Sequence, residues 1–524
     1  MELASLEVLV VDCQATRAGE AGQLLELGWA RSGDAAARAR LIRPPGGARV
    51  PPAVARVTGI SDRLLAGGVP EAQAWAELVR DAAALGAPAP AVAHFARFER
   101  PFLERLSAGC AVLEVVCTHE IARRLFPELP RRSLRALTGY FGRAVPSLRR
   151  SAEHVEATGF LWRQLVGLLA EEGVSTWPGL RAWLEQPVEP GRRARHAFPM
   201  PRELRLAAPH APGLYRMLRT GGDVLYVGKA TSLHHRVNSY FRKQHGVHER
   251  TLEMLSQARG LSFEVTESAL EAALLEPDEI KRHRPPYNVQ LTEADRAAWF
   301  CAPDFTGVRP RASPQARVGP FPSQPLLDQV AAFAAGSRAA LGPERWGPPA
   351  AVFAEGHARL IATHGEARPL RLGTRLWLAG RRVGDDRDEV LEPRREWTAE
   401  LVFTSLEELA LRAALAVRRA RWLTRLTDAS LVWSEGGAPR LLLVEAGELA
   451  HRGAAPAGEP PVPRGHQRSA AERREGFTLA RFDRLRVLTT ELKRLVTEQR
   501  AAALRLGPAP AFTGPSLARI LEWL

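Results

Sequence analysis

Tyrosine and lysine are distributed so unevenly in this chain that one window constrains everything else. Of 5 tyrosines in 524 residues, Tyr215, Tyr226, Tyr240 and Tyr287 lie between Pro212 and Leu291, together with Lys229, Lys243 and Lys281. Only Tyr140 and Lys493 stand outside. Elsewhere the positive charge comes from arginine, so the window keeps phenols and ammonium groups for a specific purpose. Residues 213–218 and 224–228 read as two strands around Thr220-Gly221-Gly222-Asp223, a hairpin signal. That arrangement sets Tyr215 and Tyr226 on neighbouring strands, where their side chains can converge. Ser232 is placed to cap a helix over 233–241, and Arg236 and Tyr240, four apart, share a face of it. Ser268-x-x-Glu271 reads as a capping box. The helix it opens has Leu270, Ala273 and Leu274 as a buried stripe ahead of Glu276. Asn288 follows 12 residues later, past Pro285-Pro286. Pro277, directly after Glu276, predicts a kink or restart of that helix.

Phosphodiester hydrolysis needs an activated water, stabilisation of added negative charge and help for the leaving oxygen. Glu276 is a hard anionic ligand suited to one Mg²⁺ or Mn²⁺. Arg236 can hold a phosphate oxygen with its guanidinium fork. Tyr215 and Tyr226 are both candidates to order the water or relay its proton, given a nearby cation such as Lys229, Arg236 or the metal. Asn288 can fix the hydrogen-bond geometry. The ordered motifs GLY, LYVGK, HHRVNSYF, ALLE and PPYN resemble the GIY-YIG endonuclease family. Within it they are most similar to the N-terminal nuclease of the excinuclease C family and its shorter single-cut homologues. VGPFPS, at residues 318–323, resembles the segment that follows this module there. The resemblance implies a catalytic set of Tyr215, Tyr226, Gly228, Lys229, Arg236, Tyr240, Glu276 and Asn288, with one metal ion at Glu276.

Near the N-terminus, LEVLVVD is an apolar, strand-like run ending at Asp12. Residues 23–30 and 89–93 read as further strands, and 72–85 and 99–107 as helices. The alternation argues an α/β domain, with Asp12 at the ligand-binding end of its strand. VVDCQATRAG, LLELGWA, VTGISDRLL, VAHFARFERPFL and RRSAEHVEATGFLW resemble proofreading exonucleases of the DNA polymerase III epsilon type. That implies an RNase H-like exonuclease fold in which four acidic residues hold two Mg²⁺ ions and a histidine activates water. Asp12 matches the first aspartate. Gln14 stands in place of a glutamate, Glu99 of an aspartate, Arg149 of the general-base histidine and His154 of the last aspartate. Two hard cations need anionic oxygens, and arginine cannot act as a base near neutral pH. The expectation is a degenerate exonuclease site on a retained fold.

The expected architecture is α/β and multidomain. Residues 1–175 form the exonuclease-like domain and 176–204 a linker carrying the basic run Arg192–Arg195. Residues 205–295 form a small α/β GIY-YIG nuclease domain. Residues 296–524 form a mixed, mainly helical α+β region of unknown role. In that last region 326–339, 406–426 and 482–500 read as helices and 370–383 as strand-like. Residues 430–433 and 440–445 read as a hairpin through Gly436-Gly437, and 453–468 as a loop. The region contains no acidic triad, cysteine-rich segment or helix-hairpin-helix pair resembling a second excinuclease half, so one incision per engagement is expected.

The net charge of +14 suggests a polyanionic partner, DNA first. Cys13, Cys110, Cys117 and Cys301 form neither a zinc spacing nor a disulfide framework, which fits a reducing cytoplasm. No apolar run reaches the ~18 residues of a membrane span. The function expected is a metal-dependent DNA endonuclease that incises one strand in nucleotide excision repair, with damage-recognition proteins as partners implied by the resemblance. The alternatives are a dual nuclease that keeps 3′–5′ exonuclease activity, and a non-catalytic DNA-binding scaffold.

Overall fold

A computed structural model describes residues 2–19, 21–44, 49–145, 147–187, 196–242, 246–288, 297–341, 347–365, 368–383, 396–456, 458–500, 502–522 and 524; Arg192–Arg195 lie outside them. The N-terminal sheet comprises β1 (Leu9–Ala15), β2 (Leu24–Arg31), β3 (Arg38–Leu41), β4 (Ala89–Ala93) and β5 (Leu113–Cys117), in the order β3-β2-β1-β4-β5. The first three strands are antiparallel to one another, whereas β1–β4 and β4–β5 are parallel. These strand orders and directions are those expected of an RNase H-like fold. Separate apolar clusters cover the two faces of β1, one around Val8, Val10 and Leu161 and the other around Leu9, Val11 and Phe102. A strand buried on both faces explains why Val8–Val11 is continuously apolar and does not alternate.

β1 does not end at Asp12 but runs three residues further. Its parallel pairing with β4 stops at Val10↔Val92, while its pairing with β2 continues through Asp12↔Gly28. Asp12 therefore lies where β1 outruns its parallel neighbour, which keeps it at the carboxyl end of the parallel portion. Helix α1 (Ser151–Glu171) packs across β1 and β2. A Cβ at Gly28 would lie 2.6 Å from the Ser151 Cβ, so only glycine admits the helix this closely. The helix Trp177–Glu185 adds Trp177 and Leu180 to the same core.

The central segment folds as β6 (Gly213–Leu218), β7 (Val224–Ala230) and β8 (Gly260–Val265), ordered β7-β6-β8 and antiparallel throughout. The turn between β6 and β7 uses Gly222 at φ +86°. Helix α2 (Leu233–Arg242) follows, with Ser232 Oγ accepting from the His235 N–H at 3.4 Å. Helix α3 (Ala269–His283) is capped by Ser268, whose Oγ accepts from the Glu271 N–H at 3.1 Å. The reciprocal half of the expected capping box is displaced by one residue: the Glu271 carboxylate accepts from the Glu267 N–H and pairs with Arg452. α3 runs unbroken through Pro277, so the expected restart does not occur.

Beyond it, β9 (Trp299–Cys301) and β10 (Val318–Phe321) pair as a short ribbon. Three helices, Gln324–Ala335, Ala350–His364 and Pro369–Leu378, surround the long helix α4 (Ala399–Leu426). Residues 370–383 are helical up to Leu378, not strand-like. The alternation of Leu and Arg there imitates a strand, but Leu372, Gly373 and Leu376 share the buried face. A Cβ at Gly373 would meet the Ala410 carbonyl oxygen at 1.9 Å.

The chain then builds the sheet β13-β12-β11-β14-β15 from β11 (Ala429–Glu435), β12 (Ala438–Glu445), β13 (Glu448–Ala454), β14 (Ala503–Arg505) and β15 (Phe512–Thr513). Helices α5 (Ala470–Arg474), α6 (Leu479–Thr497) and α7 (Gly514–Glu522) complete it. α6 packs along α3, so Leu270 and Leu274 share one core with Leu485, Leu488 and Leu492. The buried pair Lys281–Asp483 (2.8 Å) and the pair Arg484–Asp278 (2.8 Å) flank that contact. Among the described residues no helix is long and apolar enough to cross a membrane.

Candidate active site

Three phenols converge on one side of the β6–β7 hairpin. Tyr215 is opposite Gly228 in the register. Its Oη lies 2.8 Å from the Tyr240 Oη delivered by α2, and the Tyr226 ring centroid is 6.0 Å from that of Tyr215. Arg236 reaches the same group: its Nη2 donates to the Tyr240 Oη at 3.2 Å and its guanidinium lies over the Tyr240 ring. Gly228 makes the cluster possible. A Cβ there would come within 2.5 Å of the Tyr215 Oη and 2.8 Å of the Tyr226 ring. Burial, then the neighbouring phenols, raise the pKa of both Tyr215 and Tyr226, so neither loses its proton readily without an added positive charge.

Glu276 projects from α3 towards the start of this cluster. Its Oε1 accepts from the backbone N–H of Lys229 at 3.2 Å. Burial raises its pKa, against the lowering influence of Lys229 and Arg236. Asn288 clamps the outer edge of β7, accepting from the Val227 N–H at 3.0 Å and donating to the Val227 carbonyl at 2.9 Å. The structure thus brings together all eight residues proposed for this centre. It also adds one that sequence reasoning missed. Glu491, on α6, accepts from the Lys229 ammonium at 3.1 Å and adds to the upward push on the Glu276 pKa. No local spacing could have found it, since it lies 262 residues from its partner. His234 faces inward, with Nδ1 3.2 Å from the Ala208 carbonyl and its ring stacked on His210. His235 is exposed.

Residues 211–289 match the UvrC-like GIY-YIG domain. This chain carries a GIY-YIG endonuclease domain of the UvrC type. A UvrABC system protein C of Psychrobacter sp. is 51% identical over 85 residues, which is 16% of this chain and 14% of that protein. The GIY-YIG N-terminal endonuclease domain of UvrC from Thermotoga maritima, solved with its catalytic divalent cation magnesium, is 36% identical. That match covers 17% of this chain and 94% of that domain, with a TM-score of 0.16. A Mycobacterium tuberculosis protein provisionally named a bifunctional exonuclease/endonuclease is 29% identical over 450 residues, or 79% of this chain. The chain spans 66% of that relative's length.

A second cluster lies away from the GIY-YIG centre, on the N-terminal sheet. Asp12, Gln14, Glu99 and His154 come together there, but Arg149 does not. Gln14 Nε2 donates to Asp12 Oδ2 at 3.0 Å, and His154 Nδ1 lies 3.0 Å from Asp12 Oδ1. Burial would lower the His154 pKa, but the hydrogen bond and charge of Asp12 outweigh it and hold it raised. Glu99 is 3% exposed, and its Oε2 has no hydrogen-bond partner among the described residues. Arg149 is exposed and turned outward, donating to the Arg56 carbonyl at 3.0 Å. His94, inside the motif VAHFARFERPFL, is buried between Thr118 Oγ1 and the Arg132 carbonyl. Burial lowers its pKa to about 3, which keeps it neutral and structural.

Proposed function

We propose that this protein is a metal-dependent DNA endonuclease that incises one strand, acting in nucleotide excision repair in the cytoplasm. The observation that carries the reading is the convergence of Tyr215, Tyr226, Tyr240, Arg236 and Glu276 around Gly228. The donor set fits a single hard cation. Glu276 offers one carboxylate, and among the described residues no group of three or more His, Cys, Asp or Glu side chains could hold a metal. An ion held by one carboxylate and otherwise by water is the habit of Mg²⁺, and Mn²⁺ suits the same oxygen donors. When bound, it supplies Lewis-acid stabilisation of charge on the phosphate and leaving oxygen. Arg236 holds a non-bridging phosphate oxygen through the part of its fork not engaged by Tyr240. Tyr215 and Tyr226 orient the attacking water; a phenolate favoured by the charge of Arg236 and of the bound ion would take its proton, and the Tyr215–Tyr240 hydrogen bond holds the phenols in place. Lys229 adds positive charge beside Glu276, and Asn288 holds the edge of β7 in place.

We assign this activity to residues 205–295 and read residues 1–175 as a recognition or docking domain with a degenerate site, joined by 176–204. Residues 296–524 buttress the nuclease helix. Both oxygens of Asp12 are already held by protein donors, Gln14 and His154, which argues against two cations there. The name of the mycobacterial relative favours a dual nuclease; these side chains do not. Damage-recognition proteins are proposed partners because the UvrC relatives are named as parts of a UvrABC system. The four free cysteines suit a reducing compartment. Nicking of supercoiled plasmid and bubble DNA by the full chain tests the reading. Open circles without linear product are expected with Mg²⁺ or Mn²⁺ and none with EDTA. Absence of cutting on every substrate would favour the scaffold.

A further inference from the structure

The C-terminal region contains an open concavity of about 760 Å³ whose wall is dominated by arginine. Arg421 and Arg425 descend from the last turns of α4. Arg468, Arg473 and Arg474 come from α5 and the segment before it, and Arg519 from α7. None of the described residues lining it is acidic. The fully buried carboxylate of Asp428 lies beneath, 3.7 Å from Arg468 and 3.4 Å from Arg473. Arg421, Arg425 and Arg519 are exposed, and among the described residues their guanidinium groups meet no carboxylate. Leu524 sits at the rim, where its main-chain oxygen accepts from Arg419.

Gathering like charges on one surface costs free energy unless a counter-charge joins them. The wall is held by a firm core, with Trp422, Leu517 and Leu521 packed beneath it. Three separated segments are therefore fixed relative to one another, and the arginines they carry converge on one surface that no single solvated helix face supplies. Trp422 is buried and donates to Thr489 Oγ1 at 3.0 Å, so it offers no free ring on which a base could stack. The recognition chemistry left is guanidinium to phosphate.

We propose that this concavity binds the phosphodiester backbone of DNA, at a site separate from the nuclease centre and without reading sequence. The test uses the full chain with Glu276→Gln, in EDTA, so that binding is measured without cutting. Failure here then leaves the nuclease reading untouched, and the reverse. Anisotropy of a fluorescein-labelled mixed-sequence duplex is followed across a salt series. The triple variant Arg421→Ala/Arg425→Ala/Arg519→Ala is compared with a control triple of exposed arginines elsewhere, Arg63→Ala/Arg371→Ala/Arg382→Ala.

The first triple is expected to weaken binding about ten-fold or more and to flatten the log–log salt slope by about 2 to 3, with the control within about two-fold. The single variant Arg425→Glu gives the same direction of change if the triple melts early. Equal losses in both triples, or unchanged binding in the first and in Arg425→Glu, would overturn the proposal. So would displacement of DNA by about 1 mM inorganic phosphate or ATP, which would mark a small-anion site instead.

Discussion

At Glu99, burial and then the neighbouring charge of Asp12 raise the carboxyl pKa to about 9. The unfolded chain releases that proton near ~4.3. The folded state therefore binds more protons between those values, and its stability falls as pH rises through them. Glu99→Gln keeps the shape without titrating. Its melting temperature should gain on the parent's as pH rises from about 5 to about 8; a gap that does not change with pH would contradict the assignment. Gly228 makes an equally local demand. With 2.5 Å between an added Cβ and the Tyr215 Oη, Gly228→Ala should cost about 1–3 kcal/mol through overpacking. We expect DNA cleavage to fall at least about ten-fold as the phenols are pushed apart, with the far-ultraviolet dichroism unchanged. Both residues lie in short motifs, and the family resemblances pointed to both positions. Spacing within a hairpin or one helix turn fixes which side chains meet, so Tyr215, Tyr226, Arg236 and Tyr240 could be named before their contacts were seen.

Elements were legible where a local signal fixed an end. Ser232, Ser268 and Gly436-Gly437 marked a helix start, a helix start and a hairpin, and each serves in that place. The strand reading of 370–383 failed because Leu–Arg alternation carries both periods, and the surface of α4 decided between them. Pro277 does not restart its helix, for a different reason. α3 is held on one side by its own sheet and on the other by α6, which keeps it helical despite the missing donor. The Lys281–Asp483 pair in that contact is almost wholly buried, at 9% and 0% side-chain exposure. Asp483→Ala should leave the ammonium without its counter-charge and destabilise the fold by about 3–5 kcal/mol. Urea denaturation measures this directly; a change below about 1 kcal/mol would mean that the pair contributes little to the α3–α6 contact.

Across the whole molecule, the nuclease helix α3 is shared property. Its inner face completes the GIY-YIG centre, and its outer face completes the core of a region that closes much later in the chain. Sequence alone could not show this, because α6 approaches α3 through leucines typical of any amphipathic helix. Glu491 follows from the same packing. The two candidate centres also separate at this scale: one gathers phenols, a guanidinium and a half-buried carboxylate, while the other has satisfied its aspartate internally. The most direct test compares metal-dependent cutting of end-labelled bubble DNA by the parent, Glu276→Gln and Asp12→Ala. Internal single-strand cuts should fall by at least about 100-fold with Glu276→Gln and persist with Asp12→Ala. Cutting that survives Glu276→Gln, or 3′-end degradation abolished by Asp12→Ala, would contradict the account.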